Sequence, residues 1–182
     1  MTRINSKKKG NRFEREVCKF FQSWTGYEFS RVPQSGGLRW KNTQSITSDV
    51  ICTDEFYGRR WPFSIECKSY KDIKFEQLLL EKKSCKITSF WTQAVKDSER
   101  ANKMPLLIMK YNGMPKEEAF LVCNYSTHKL LKKYLKPTKP QMHLLYPNPS
   151  DSLFVYMLSQ LKEISHKALV KEVRKLLKKN GQ

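Results

Sequence analysis

The sequence predicts an α/β fold, a central mixed β-sheet flanked by helices, and three patterns predict it. Residues 63–68 alternate Phe63, Ile65 and Cys67 with Ser64, Glu66 and Lys68, the period-two signature of a half-buried strand. Residues 11–24 contain neither Gly nor Pro and repeat Phe13, Val17, Phe20, Phe21 and Trp24 at helical spacing, with Gly26 as the stop. Leu106, Leu107, Ile108 and Met109 form a short continuous apolar run, a candidate central strand.

The first helix, residues 11–24, carries Glu14 and Glu16 on opposite flanks of its apolar stripe, so helical geometry alone does not choose between them. A short strand is expected over 27–32. Pro33-Gln34-Ser35-Gly36-Gly37 follows, a loop whose glycines either let backbone approach a phosphate or simply make a turn. Residues 38–48 read as a polar loop or flap. Strands over 49–53 and 61–70 are joined by a polar, Gly-containing connection, 54–60, and so form a hairpin. A short helix is expected over 75–83. A longer one, 89–102, has Ser89 as its cap and Phe90, Trp91, Ala94, Val95 and Ala101 inside it. Strands over 105–111 and 119–122 flank an Asn112-Gly113 turn. Ser126 caps a basic helix, 127–135, and the prolines at 137, 140, 147 and 149 make 136–150 an extended connector. Residues 153–157 fit a strand or the first turns of a helix. The helix over 158–179 gathers Lys162, Lys167, Lys171, Arg174 and Lys178 towards one side.

A chain of 182 residues is naturally one domain with a real hydrophobic core. No apolar run approaches the ~18 residues of a membrane span, and the Lys-rich start lacks the apolar segment of a secretory signal. Cys18, Cys52, Cys67, Cys85 and Cys123 form no C-x-x-C pair, which predicts a reduced, cytoplasmic protein without disulfides or zinc. His128, His143 and His166 show no ligand spacing and are expected on the surface or in loops. The net charge is +18 and the pI near 9.8. It is also blocked: residues 1–12 hold Arg3, Lys7, Lys8, Lys9 and Arg12 with no acid, and 119–150 hold Lys129, Lys132, Lys133, Lys136 and Lys139 with none. A solubility-driven surface mixes signs; acid-free blocks point to a polyanion. Nucleic acid fits better than a membrane surface, because no lipid-facing amphipathic helix with aromatic anchors is present. Arg39, Trp40 and Lys41 in the flap are available to the same partner.

Glu66 and Lys68 share one face of their strand, opposite the apolar residues. Asp49 heads the neighbouring strand, seventeen positions earlier. A metal-dependent phosphodiesterase needs this combination: hard carboxylate oxygens for Mg²⁺ and a lysine that orients or helps deprotonate the attacking water. Asp72-Ile73-Lys74 and Glu81-Lys82-Lys83 repeat the acidic-x-Lys spacing but lack the alternating run and the Asp-headed partner. The plainer reading of Glu66 and Lys68 is a same-face ion pair on a solvated strand, worth a few tenths of a kcal/mol.

Taken together, Lys9-Gly10-Asn11-Arg12-Phe13-Glu14-Arg15-Glu16, Ser30-Arg31-Val32-Pro33 with Ser35-Gly36-Gly37, Asp49-Val50 and Ile65-Glu66-Cys67-Lys68 resemble the PD-(D/E)xK nuclease superfamily. Within it they are most similar to the archaeal-type Holliday junction resolvases, including versions carried by bacteriophages. The resemblance covers roughly residues 7–110 and implies a restriction-endonuclease-like core. That core would span 1–125 with a basic N-terminal arm, and 126–182 would be a basic helical extension packed on the same domain. It selects Glu14 over Glu16 and makes Glu14, Asp49, Glu66 and Lys68 the catalytic set. Asp49 and Glu66 would hold Mg²⁺, for which Mn²⁺ substitutes, Glu14 would complete the site directly or through water, and Lys68 would position the hydrolytic water. Arg15, Arg31, Ser35, Gly36 and Gly37 would meet DNA, joined by Lys7, Lys8, Lys9 and Arg39 from the basic segments. The expected activity is paired nicking of four-way junctions by a homodimer, in the host cytoplasm if phage-encoded. Another nuclease on the same scaffold, or a non-catalytic DNA-binding protein, is the alternative. Two departures, Ser48 where the pattern has Pro and the greater length of both the stretch between Ser35 and Asp49 and the tail after residue 112, bear on substrate more than on chemistry.

Overall fold

The structure is a computed structural model that describes residues 6–32, 48–79, 85–136, 140–144 and 152–180. Its strands are β1 (Phe29–Arg31), β2 (Val50–Cys52), β3 (Phe63–Tyr70), β4 (Met104–Tyr111), β5 (Phe120–Asn124), β6 (Gln141–Leu144) and β7 (Leu153–Met157). They form one seven-stranded sheet in the order β1-β2-β3-β4-β5-β7-β6. Only β3 and β4 run parallel; the other pairs are antiparallel. The helices are α1 (Ser6–Thr25), α2 (Glu76–Leu79), α3 (Lys86–Arg100), α4 (Tyr125–Tyr134) and α5 (His166–Asn180). The expected α/β core around a mixed sheet is therefore present. No helix among the described residues is long and apolar enough to cross a membrane.

Two apolar clusters explain the layering. Leu106 and Ile108 join α1, α4 and α5 on one face, while Leu107 and Met109 join Ile87 and Ala94 of α3 on the other. Adjacent residues of a strand point to opposite faces, so a strand covered on both sides must be continuously apolar. That is the origin of the 106–109 run. The same covering corrects the reading of β3 as half-buried: Ser64 and Glu66, on its polar side, are each 3% exposed. Phe21, fully buried, packs its ring against Trp24, Phe29 and Trp61 and so fixes α1 to the β1–β3 end of the sheet.

Several boundaries differ from expectation for local reasons. Helix α1 begins at Ser6, so Lys7, Lys8 and Lys9 occupy its first turn instead of a separate arm. Helix α3 begins at Lys86 with Cys85 as N-cap; Ser89 lies inside it and donates its hydroxyl to the Lys86 carbonyl. Asn124, not Ser126, caps α4, its side chain accepting from the Thr127 N–H at 3.0 Å. The four-residue α2 is shorter than the helix expected over 75–83, part of which lies outside the described residues. Within the supposed connector, 141–144 pairs with β7 as an edge strand, immediately after Pro140, where the sheet end has no further strand to satisfy. Residues 153–157 are the strand of the two options and lie inside the sheet. The helix expected over 158–179 is broken: Leu158–Glu163 is a 3-10 segment, and extended Ile164 separates it from α5. The Ile164 carbonyl accepts from the Trp24 indole at 2.9 Å, which an unbroken helix would not permit.

His128 also departs from the surface position expected of it. On the first turns of α4 it is 8% exposed, stacked on Phe154 at 3.6 Å and hydrogen-bonded to the Tyr156 hydroxyl. Burial, then Lys132 and His143, hold its pKa down at about 4. Below the ordinary value of 6.5 the unfolded chain takes up a proton that the folded protein refuses, so this contribution is intact above pH 6.5 and is lost on descending to about 4. The melting temperature should therefore fall over that interval, and His128→Gln, less stable at neutral pH, should show a measurably shallower fall. Equal slopes for the two proteins would show that His128 is not held neutral.

Candidate active site

Asp49 sits where the chain enters β2, and its backbone is held from both sides. Its N–H donates to the Ile65 carbonyl at 3.0 Å, and its carbonyl accepts from Val32 N–H at 2.9 Å. Its Oδ2 accepts from the backbone N–H of Cys67 at 2.8 Å, so the carboxylate is placed against the middle of β3. Glu66 and Lys68 flank that N–H on the polar face of the strand. Lys68 Nζ donates to Glu66 Oε1 and lies 5.6 Å from the Phe90 ring centroid on α3. Below them the Ser48 and Ser64 hydroxyls share a buried hydrogen bond of 2.7 Å.

Glu14 enters from α1. It is buried, and its Oε2 accepts from Arg31 Nε at 2.8 Å, while Arg31 Nη2 donates to Asn11 Oδ1 at 2.9 Å. Glu16 points the other way, to Arg12 at 3.1 Å and Lys110 at 3.4 Å. Packing thus separates two glutamates that the apolar stripe left equivalent.

Electrostatics bind these groups into one cluster. Burial pushes Glu66 up to about 7, the charge of Asp49 adds to this, and Lys68 opposes it. Asp49 is also raised, by burial first, against the pull of the Cys67 N–H and Lys68, with Glu14 adding to the rise. Lys68 is raised: burial works against its charge, but the hydrogen bond and charge of Glu66, with Asp49, prevail. Buried Cys67 lies well above the ordinary thiol range because of burial and then the charges of Asp49, Glu66 and Glu14. Three carboxylates therefore surround one stretch of β3.

Among the described residues no three His, Cys, Asp or Glu side chains form a ready-made metal cage. Two adjoining carboxylates, each raised by burial and one of them by its neighbour's charge, nevertheless suit a hard divalent cation. Mg²⁺ takes one or two protein carboxylates and completes its shell with water and phosphate oxygens. Asp49 and Glu66 fit that requirement without a third ligand.

The remaining sequence-predicted residues fall into four groups. Lys7 and Lys8 are exposed, and Lys9 Nζ donates to the Tyr70 carbonyl at 2.9 Å, which sets the start of α1 beside the end of β3 that carries Lys68. Arg31 is engaged with Glu14 and Asn11. Arg15 lines a groove of about 510 Å³ outside α1 with Lys19, Lys116 and Lys162, and none of Glu14, Asp49, Glu66 or Lys68 lines it. Ser35, Gly36, Gly37 and Arg39 lie outside the described residues. Sequence reasoning missed Asn11, Ser64 and Phe90. The spacing of Asn11 three residues before Glu14 was a usable signal for a shared helix face. Phe90 left none, because only the α3–β3 packing brings it to Lys68.

The chain can be set beside known proteins. It is similar to Protein D14 of Escherichia phage T5, 28% identical over 107 residues, which are 59% of this chain and 65% of that protein. The match thus spans less than two thirds of the relative's length. No solved structure matches. A family model described as "Phage putative PDDEXK endonuclease" matches residues 5–171, a span that includes Glu14, Asp49, Glu66 and Lys68. With nearly the whole chain covered and the acidic cluster and its lysine inside the match, this protein belongs to that family of phage PDDEXK nucleases.

Proposed function

We propose that the protein is a Mg²⁺-dependent endonuclease that cuts branched DNA, four-way junctions foremost, as a homodimer placing paired nicks in opposing strands. The observation that carries the catalytic part is the buried juxtaposition of Asp49, Glu66 and Lys68 at one end of β3, with Glu14 in range of Asp49. Asp49 and Glu66 would hold the metal, and Glu14, paired with Arg31, would complete the site directly or through a water. When bound, Mg²⁺ would neutralise charge on the non-bridging oxygens of the scissile phosphate. Lys68, held by Glu66 and backed by Phe90, orients the attacking water and holds a proton donor at a fixed point. The cations at the start of α1 share the sign of the helix N-terminus, so both attract phosphate to this end of the sheet.

The choice of a junction rests on the sequence resemblance and on the acid-free basic blocks, which suit several diverging duplex arms. A dimer matches the near two-fold symmetry of such a junction. Competition cleavage of labelled junction, flap, linear duplex and single strand, with Mg²⁺ and with EDTA, tests this. The expected result is a dimer in solution that linearises a cruciform-bearing plasmid in one binding event, with linear duplex cut far more slowly. A monomer that degrades linear duplex as readily would leave the generic nuclease in place of the junction enzyme.

The residue assignment has its own test. Asp49→Asn, Glu66→Gln and Lys68→Ala should each lower Mg²⁺-dependent cleavage by at least about a hundredfold, while junction affinity measured in EDTA stays near wild type. Asp72→Asn, an exposed acid paired with Lys74 at 3.5 Å, should cleave normally. Near wild-type turnover in any of the first three would remove that residue from the site.

A further inference from the structure

At the end of the sheet opposite the acidic cluster, a groove of about 420 Å³ opens between the β2–β3 turn and α5. Arg60 of the turn and Lys167, Lys171, Arg174, Lys175 and Lys178 of α5 line it, and no carboxylate does among the described residues. One of the six, Lys175, is partnered by Glu172 at 3.0 Å. Two tyrosines complete the wall. Tyr27, entering β1, and Tyr57, in the turn, stack face to face with ring centroids 4.1 Å apart and planes 11° apart. Tyr57 is still 42% exposed with one face covered, and its neighbour Phe56 is 76% exposed.

This turn is a firm platform. The Asp54 carboxylate accepts from the backbone N–H groups of Phe56 and Tyr57, each at 3.0 Å. Gly58 lies so close to β2 that a Cβ there would come within 2.8 Å of the Cys52 carbonyl oxygen, so the chain at this point tolerates no side chain. Trp61, 2% exposed, also lines the groove, and its indole N–H donates to no described acceptor. Tyr27 packs against the core and edge-on to His166, but Tyr57 stands outside it, 42% exposed beside cations that repel one another, a placement that core burial does not explain.

We propose that this groove binds unpaired single-stranded DNA, with a base stacked on the Tyr27–Tyr57 pair and the phosphates tracked by α5 and Arg60. Cations alone would suit duplex equally well. The stacked, open-faced tyrosines are what distinguish a single strand, whose bases are free to splay onto aromatic rings, from a duplex, which presents only its backbone to such a surface. The choice of DNA rests on the nuclease reading above. The groove is also separate from the cleavage centre: Tyr27 precedes β1, whose far end carries the Glu14-bound Arg31, and none of Glu14, Asp49, Glu66 or Lys68 lines the groove. A strand held in the groove would come from a branched substrate that carries an unpaired segment, such as a flap or a gapped junction, and not from a fully paired four-way junction.

The test is binding of the full chain, in EDTA, to a labelled oligothymidylate of about 16 nucleotides and to a duplex of equal length. Tyr57→Ala should weaken single-strand binding by at least about fivefold, the loss of one stacked base, and leave duplex binding within about twofold. Tyr57→Phe should restore the single-strand affinity. Lys171→Gln with Arg174→Gln, both solvent-facing changes, should flatten the single-strand salt dependence by about 1.4 in log–log slope, roughly 0.7 per phosphate contact. Equal losses on single strand and duplex for Tyr57→Ala, or binding that follows the cations and ignores Tyr57, would overturn the proposal in favour of a backbone-only duplex surface. No change with either set would overturn it in favour of another partner. None of these readouts needs cleavage, so absence of Mg²⁺-dependent cutting by the wild type would sink the nuclease reading alone.

Discussion

The backbone N–H of Cys67 donates to Asp49 Oδ2, while Asp49 N–H donates to the Ile65 carbonyl, and this pair of bonds ties the start of β2 to the centre of β3. A hydrogen bond to a charged group contributes about 1.5–3 kcal/mol, and here it also aims a carboxylate. Because α1 packs on one face of β3 and α3 lies against the other, Glu66 beside that bond is held out of solvent. Glu66, Lys68 and Asp49 are consequently held together in a buried setting that would be unfavourable if any one of them were alone.

The arrangement accumulates opposition on purpose-like terms that stability alone does not explain. Two carboxylates face each other with both pKa values raised, and three lysines open α1 at the end of the helix that already carries partial positive charge. Each choice destabilises the isolated fold slightly. Both become favourable when a cation sits between the carboxylates and a phosphate lies across the helix end. Stress of this kind is common at functional sites, and the cation and anionic substrate proposed above would relieve it. The aromatic packing of Phe21, Trp24, Phe29 and Trp61 at the other end supplies a rigid anchor against which that stress is held.

Charge is distributed over the whole molecule in two regions with different chemistry. The α1 end combines cations with acids, hydroxyls and a fixed lysine. The α5 end combines cations with an exposed tyrosine, and no carboxylate among the described residues lines the groove between them. A surface that only attracted polyanions would need neither the carboxylates of the first nor the tyrosines of the second.

Much of the protein was legible in its sequence because the relevant signals are local. Period-two alternation revealed β3 and the apolar run at 106–109 revealed β4, and the Asp49, Glu66 and Lys68 pattern picked out residues that the fold brings together. Geometry along a strand or helix decides which residues share a face, and that geometry is independent of what packs against them. What packs against them was decided only in three dimensions. Nothing in residues 11–24 separates Glu14 from Glu16; the partner Arg31, contributed by another element, does. Ser64 and Glu66 read as solvent-facing because polarity was taken for exposure, yet α3 buries them, and Phe90 reaches Lys68 through the same packing. His128 looked like a surface residue until β7 supplied Phe154 and Tyr156. The strand at 141–144 looked like a proline-rich connector, because edge pairing is a property of the neighbouring strand. Local covalent geometry sets periodicity and therefore chemistry-bearing faces, whereas burial and pairing arise from contacts between residues far apart in the chain, which no single segment encodes.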